Sequence, residues 1–597
     1  MSDSDSNLSS SNVTEIFSLQ RFFWGFFQPE GCSYLAWQNL LKSLLWFLGK
    51  DQAHVTRKYK NAQKKIRRQL TREKEMGALI DELQAREEKT VVGATSSLDI
   101  TQEEPLQLEL ITFLKKFLER KNICQCIEKD IIDLRDQDDI VYSKQSIILA
   151  ALSLFLLRLG SGNQYDEISH SSDKYSMANI AKFIDAPEDR TPTIKTIETF
   201  LKTQDKKNIN QLMIDFFKGL IESKFFQQHP QIMVGDFFLL AADCVHTHTY
   251  DHPHHLDREG NHDCPHCLKR VYNKGTEKET VRWLHCTLVY TVVFLGKLKI
   301  PLYHYPIHAK QVLNCESASE DVHKQECELV ALKVTLPNIR EVFPRTKIVL
   351  LLDGLYANRP TIRLLNAFQF GYIIVRKERC LTTLAEDCEG LSMLENHKKN
   401  QTKILKCVIK KWSIKHKYEW FNFLDITDRE GELKTHVLRL WETREKIIKG
   451  KLRSERYHCE WLFSWSLSAK SCQQAARLAR LRWEEEDLFN TCKNRGYKFK
   501  HDYSRHPLSF FNWHGLALLS FGIFEVFRFS EAVKQTGDIT CIGLASKLRA
   551  QLCERPTREL FSEQLNSKKV QFRYNFIIEP IVYVQGDEDD FDWEGTG

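Results

Sequence analysis

Three acidic residues, Asp243, Asp353 and Glu486, stand where they can act together on a hard cation. Phosphodiester cleavage and transfer need such a set: two metal ions about 3.5 to 4 Å apart activate the attacking oxygen and stabilise the leaving one, and Mg²⁺ or Mn²⁺ prefers carboxylate oxygen. Asp243 follows the apolar run FFLLAA, where an uncompensated charge is costly. Asp353 follows KIVLLL and opens the segment DGLYANRP, so it is equally a turn residue or a helix cap. Asp236 is the nearest other acid, but it precedes the first run and belongs to the wrong end of a strand.

Glu486 lies in LARLRWEEEDLFNTCK, residues 478–493, with Arg482 four residues before it and Lys493 seven after. That spacing puts all three on one helix face within about two turns. A carboxylate between two cations can hold metal while its neighbours grip phosphates. An ordinary salt-bridged surface helix has the same spacing. Trp483 and Phe489 fall off this stripe and are expected to pack the helix on a sheet.

A second group suits a softer ion. HTHTYDHPHHLDREGNHDCPHC, residues 246–267, contains the knuckle Cys264 and Cys267 among many histidines, and tetrahedral Zn²⁺ takes thiolate and imidazole. Its partners are sought among His252, His254, His255 and His262, with His254 and His262 entered as the ligand pair of a structural zinc loop spanning 246–286. A metal-free polar loop is the alternative. His246 and His248 share one strand face and can instead point toward DNA. Thiolates bind Mg²⁺ poorly and carboxylates suit it, so two metals imply two sites.

The elements that position these residues follow from periodicity. Residues 237–245, 281–294 and 297–307 read as successive strands, 320–342 as a helix, 347–354 as a buried strand, 359–368 as a helix and GYIIVRK as a strand. The expected fold is α/β, a mixed sheet flanked by helices, and this order is that of a ribonuclease-H-like core. Its first part spans 231–400. A β-rich insertion follows at 401–467, then the second part at 468–535, where Ser468 caps one long helix over 469–494.

Before the core, 105–230 is expected to be a helical domain. Residues 177–202 resemble a helix-turn-helix, with Thr191 and Pro192 as N-cap and N1 of the second helix and Lys195 and Lys202 free to reach phosphates, although two packed helices are common in any bundle. Residues 14–104 read as a helical and basic segment ending in a polar linker at 86–104. Residues 57–74 carry nine Lys or Arg, which fits a phosphate-facing helix or a solvated connector. Residues 1–13 are expected to be disordered, and 536–597 to form a C-terminal helical region with an acidic tail.

Composition narrows the class. At 597 residues the chain exceeds one hydrophobic core, so several folding units are expected. Seventeen cysteines without dense regular spacing argue against a secreted disulfide scaffold and for a reducing cytoplasm. No uninterrupted apolar run reaches the roughly 20 residues of a bilayer span, so no membrane partner is expected. The net charge of +6 is mild, and its uneven distribution carries more information than its sum.

On these residues the sequence resembles the DDE transposases of bacterial insertion sequences, of the insertion sequence four type. Their signature helix reads Y-x2-R-x3-E-x6-K, matched here by Arg482, Glu486 and Lys493, with Ala479 at the tyrosine position. The resemblance covers roughly residues 232–503. It implies a ribonuclease-H-like core with a β-rich insertion before the catalytic glutamate, Asp243, Asp353 and Glu486 as catalytic Mg²⁺ ligands, and Arg482 and Lys493 on DNA. It further implies strand cleavage at transposon ends, strand transfer into target double-stranded DNA, a homodimer in the DNA complex and a place at the bacterial nucleoid. The other readings are a plain metal-dependent nuclease and an inactive, transposase-derived DNA-binding protein.

Overall fold

The computed structural model describes Lys64, Thr71, residues 74–78, Asp81 and residues 109–585, apart from 137, 139, 172–174, 188–189, 254–263, 310–319, 410, 449–450, 538, 563–571, 577, 579–580 and 582. The expectations for residues 1–13 and 86–104, the acidic tail and almost all of the basic segment fall outside the described residues.

The protein is mixed α/β, built around one large mixed sheet. Its strands are β1 (Phe237–Tyr250), β2 (Leu268–Tyr272), β3 (Thr280–Val293), β4 (Lys299–Pro306), β5 (Lys347–Leu352), β6 (Gly371–Val375), β7 (Thr402–Ile409), β8 (Trp412–Asp425), β9 (Lys434–Ile448), β10 (Lys451–Phe463) and β11 (Tyr583–Gln585). The order across the sheet is β11-β7-β8-β9-β10-β6-β5-β1-β3-β2, and β4 also pairs with β3. β1, β5 and β6 run parallel, whereas β3 is antiparallel to β1 and to β4. β2 and β4 share one edge of β3 in succession, at 280–284 and 287–293. The strand β2 carries two adjacent cations in LKRVY and was not read from the sequence.

KIVLLL makes β5 because a parallel strand covered on both faces wants branched, apolar residues throughout. Leu239 and Ala241 of β1, Val349 and Leu351 of β5 and Ile373 of β6 form one core with the helix Cys472–Arg480. Leu240, Ala242, Leu350, Leu352 and Ile374 turn the other way, into the core that contains the helix Glu320–Val342 and the N-terminal helices.

The helix Pro507–Arg528 joins these parts. It is long and apolar enough to cross a membrane, and its apolar stretch is wholly buried within the protein. It packs on β4 and on the helices Lys144–Leu156, Ile194–Lys202 and Lys206–Glu222. Gly515 sets the closeness of this packing: a Cβ there would meet Ile209 at 2.6 Å and the His304 ring at 2.7 Å. At β4, Asn210 takes a hydrogen bond from the His304 amide at 3.0 Å and gives one to its carbonyl at 2.9 Å, so one side chain covers both edge groups.

Three local expectations are corrected. The helix after the insertion is two, Cys472–Arg480 and Trp483–Asn494, because Arg482, Glu484 and Glu485 donate three residues back, to Ala479, Leu481 and Arg482, and tighten the turn. Ser468 caps only the turn before it, accepting from the amides of Lys470 and Ser471; the helix itself begins at Cys472, with Ser471 at the N-cap position. In the helix-turn-helix candidate, formed by Ser176–Phe183 and Ile194–Lys202, the N-cap is Thr193, which accepts from the Thr196 amide; Thr191 is buried and donates to Ser169. Trp483, expected under the helix, is 49% exposed, while Phe489 is buried as expected.

Candidate active site

Asp243 and Asp353 lie on neighbouring parallel strands. The β1–β5 register pairs Ala242 with Leu352, and each aspartate is the next residue. Asp243 Oδ1 accepts from the Cys244 amide at 2.8 Å, and Asp353 Oδ1 accepts from the Leu355 amide at 2.9 Å. Asp353 is therefore an N-cap, of the turn Gly354–Tyr356, and at the same time a neighbour of Asp243. Asp236 immediately precedes β1, 3.0 Å from Lys347, whereas Asp243 lies in the middle of the strand.

The three consecutive glutamates point three ways, as a step of about 100° per residue requires. Glu484 reaches Lys299 at 2.9 Å on β4. Glu485 is fully buried and accepts from the Thr291 hydroxyl at 3.2 Å. Burial, with the Asp243 charge second, pushes the Glu485 carboxyl well above the usual range. Glu486 is exposed and is linked to Asp243 through Arg482: the guanidinium is 2.5 Å from Glu486 and 3.5 Å from Asp243.

This convergence has an electrostatic signature. Burial pushes the Asp243 carboxyl up to about 6, and the negative charge of Asp353 adds to it, followed by that of Glu486; the Cys244 amide and Arg482 act the other way. Like charges gathered in a half-buried place favour a proton or a cation. Three carboxylates are a hard-oxygen donor set, so the residues fit Mg²⁺ or Mn²⁺.

Lys493, two turns further along the helix, is half-buried, and burial, then Lys500, lowers its ammonium pKa. Arg482 is only 8% exposed and is engaged by two carboxylates. The sequence spacing allowed a phosphate contact or a salt bridge to Glu486, but it could not reveal the second acid, Asp243. It also missed Lys377, which follows β6, is exposed and stands 3.4 Å from Asp353 Oδ2. The run RKER at 376–379 is its signal in the sequence.

An open cleft of about 1580 Å³ is lined by Gly354, Lys377 and Arg482 and runs to the insertion at His458 and Trp461; Asp243, Asp353 and Glu486 are not among its lining residues. Eight basic side chains line it against four acidic ones, so its balance suits a polyanion. Some of those cations are already paired: Arg376 is held by Glu460, and Arg363 by Asp428. Lys333, Lys377 and Arg379 are exposed along it.

The cysteine knuckle forms a separate metal-compatible group. Cys264 and Cys267 Sγ lie 3.4 and 3.1 Å from His285 Nε2, and all three residues are buried. His285 is on β3, between Phe510 and Phe511 of the long core helix and Tyr250 of β1, and was not nominated from the sequence. The signal was the strand segment RWLHC, where a histidine reads as an ordinary core residue. His254, His255 and His262 lie outside the described residues. His252 is not in the group, and His248 is bound at Nδ1 to the Lys500 carbonyl, 2.5 Å away. The knuckle is stitched to the chain after β4, through Ala309 to Pro265 and His266 to Ile307.

No protein-family model matches the chain, and no curated protein matches it in sequence.

Proposed function

We propose that this protein is a divalent-metal-dependent DNA strand-cleaving and strand-joining enzyme, a DDE-type transposase. The observation that carries the reading is that Asp243 and Asp353 follow paired residues of neighbouring parallel strands while Arg482 bridges Asp243 to Glu486. The strand order β4-β3-β1-β5-β6, with a four-stranded β insertion before the glutamate helix, is what a ribonuclease-H-like catalytic core requires and supports the same reading.

Asp243, Asp353 and Glu486 would hold the Mg²⁺ or Mn²⁺, which when bound supplies Lewis-acid activation of the attacking and leaving oxygens. The chain's own residues do the rest. Lys377, Arg379 and Lys333 draw the phosphate backbone along the cleft. Lys493 presents a cation beside the same acids, where a scissile phosphate would lie. Arg482 balances the acids in the free protein and becomes available to phosphate when they take up a cation. Cys264, Cys267 and His285 have the donor chemistry of structural zinc and would anchor the β1–β3 connection.

The test is a cleavage and joining assay with the full chain, Mg²⁺ and the DNA that flanks its coding region. Nicking at those ends, followed by joined products, is the expected result, and it should vanish in Asp243→Ala, Asp353→Ala and Glu486→Ala while DNA binding persists. Cleavage without joining would make the protein a nuclease. Binding without cleavage would make it a DNA-binding protein.

A further inference from the structure

Strand side chains alternate between faces, so the neighbours of site residues turn the other way. Asp243 is followed by Cys244, and His285 by Cys286. On that far face, His246 pairs with Cys286 in the β1–β3 register, and Cys244 lies two residues from His246 along the same face. The helix Glu320–Val342 covers this face: the Tyr290 and Thr335 hydroxyls share a hydrogen bond of 2.6 Å. Glu328, seven residues before Thr335, projects from the same side of the helix. As a result the Cys244 and Cys286 sulfurs and a Glu328 carboxylate oxygen lie within 4.8 Å of one another. Cys286 and Glu328 are buried.

We propose that Cys244, Cys286 and Glu328 bind a Zn²⁺ ion of their own, distinct from both the carboxylate site and the Cys264–Cys267–His285 group. The donors are the first reason. Zinc at about 2.3 Å from sulfur and 2.0 to 2.2 Å from oxygen needs ligand separations of about 3.5 to 3.8 Å, within the spread seen here. Two thiols and a carboxylate within reach of one ion suit zinc, and binding it releases the two thiol protons to solvent and turns all three groups into ligands.

An independent observation points to the same place. The Tyr356 hydroxyl is fully buried without a hydrogen-bond partner among the described residues, and after burial itself Cys244 and Glu328 are the leading influences on its phenol. A water in the fourth coordination position would donate to that hydroxyl. Tyr356 closes the turn capped by Asp353, and Cys244 follows Asp243, so zinc here would tie together the backbone behind both aspartates.

The test is zinc content per chain in full-length protein purified under reducing conditions and reconstituted with Zn²⁺, then repeated with Co²⁺ for its thiolate-to-metal absorption. About two zinc ions per chain are expected. Cys286→Ser and the near-isosteric Glu328→Gln should each lower this to about one, as should Cys264→Ser with Cys267→Ser. Zinc retained at the knuckle in Cys286→Ser and Glu328→Gln shows that those variants are folded. Wild-type protein that never exceeds about one zinc would overturn the proposal, as would two zinc ions unaffected by both variants. A Cys244–Cys286 disulfide in freshly isolated, alkylated protein would overturn it too.

Discussion

The Arg482 guanidinium stands 3.5 Å from Asp243 and 2.5 Å from Glu486, so in the metal-free protein a cation already sits between two of the candidate metal ligands. A residue so placed cannot also neutralise a phosphate. Arg482→Ala should therefore leave the salt dependence of DNA binding unchanged in EDTA, and lower the slope of log affinity against log salt by about one unit in Mg²⁺, where the acids have another partner. Equal slopes for wild type and variant in both buffers would remove Arg482 from the phosphate contacts.

Asp243 gives a pH prediction. Its carboxyl, raised by burial and then by Asp353 to about 6 in the metal-free protein, should make Mg²⁺ uptake weaken as pH drops through about 6. For stability the sign is reversed. A carboxyl with a folded pKa above its unfolded value stabilises the protein below about 4, and that contribution is lost as pH rises through about 6; the span of about two units corresponds to about 3 kcal/mol. Asp243→Asn should raise the melting temperature at pH 7.5, abolish cleavage and lose the stabilisation that Mg²⁺ confers on the wild type. A lower melting temperature in the variant would contradict this account of the site's charge.

Lys377 is exposed on the cleft and 3.4 Å from Asp353. Lys377→Ala should weaken binding to DNA of any sequence and reduce the salt slope by about one. Cleavage at saturating DNA should fall much less than affinity. Affinity unchanged at low salt would show that the strand does not pass along this wall.

His285 separates the knuckle from the rest of the histidine-rich segment. His285→Ala should lose the zinc bound by Cys264 and Cys267 and make the β1–β3 connection sensitive to protease, whereas His252→Ala should retain the metal. Elemental analysis with limited proteolysis checks both. Full zinc retention in His285→Ala would return the ligand role to the histidines nearer the knuckle.

The helix Glu320–Val342 and strands β3, β4 and β5 were legible almost to the residue, because long apolar periods fix both type and extent. That Asp243 and Asp353 fall side by side was legible from the apolar runs they follow, FFLLAA and KIVLLL, which pair in parallel, although β1 runs on past Asp243 to Tyr250. Arg482 was read with Glu486 from their spacing, but its second carboxylate, Asp243, was not, since local spacing says nothing about a strand more than two hundred residues away. His285 was missed for the converse reason: nothing local marks a ligand whose partners come from another loop. The break at Leu481 was invisible because both halves have good helix formers, and it depends on how each half packs.

The long buried helix Pro507–Arg528 has a consequence for how the chain is made. Asn512 on it donates to the carbonyls of Leu201 and Gln204, and its apolar side chains complete the core of helices that end near Glu222. Those early helices leave the ribosome roughly 290 residues ahead of their partner, which at about 5 to 20 residues per second is a delay of about 15 to 60 s. Throughout that interval the apolar face destined for residues 507–528 has no cover of its own. The nascent chain is thus a natural client for holding chaperones, and ribosome-bound fragments stopped before residue 507 should be bound by them far more strongly than the released protein.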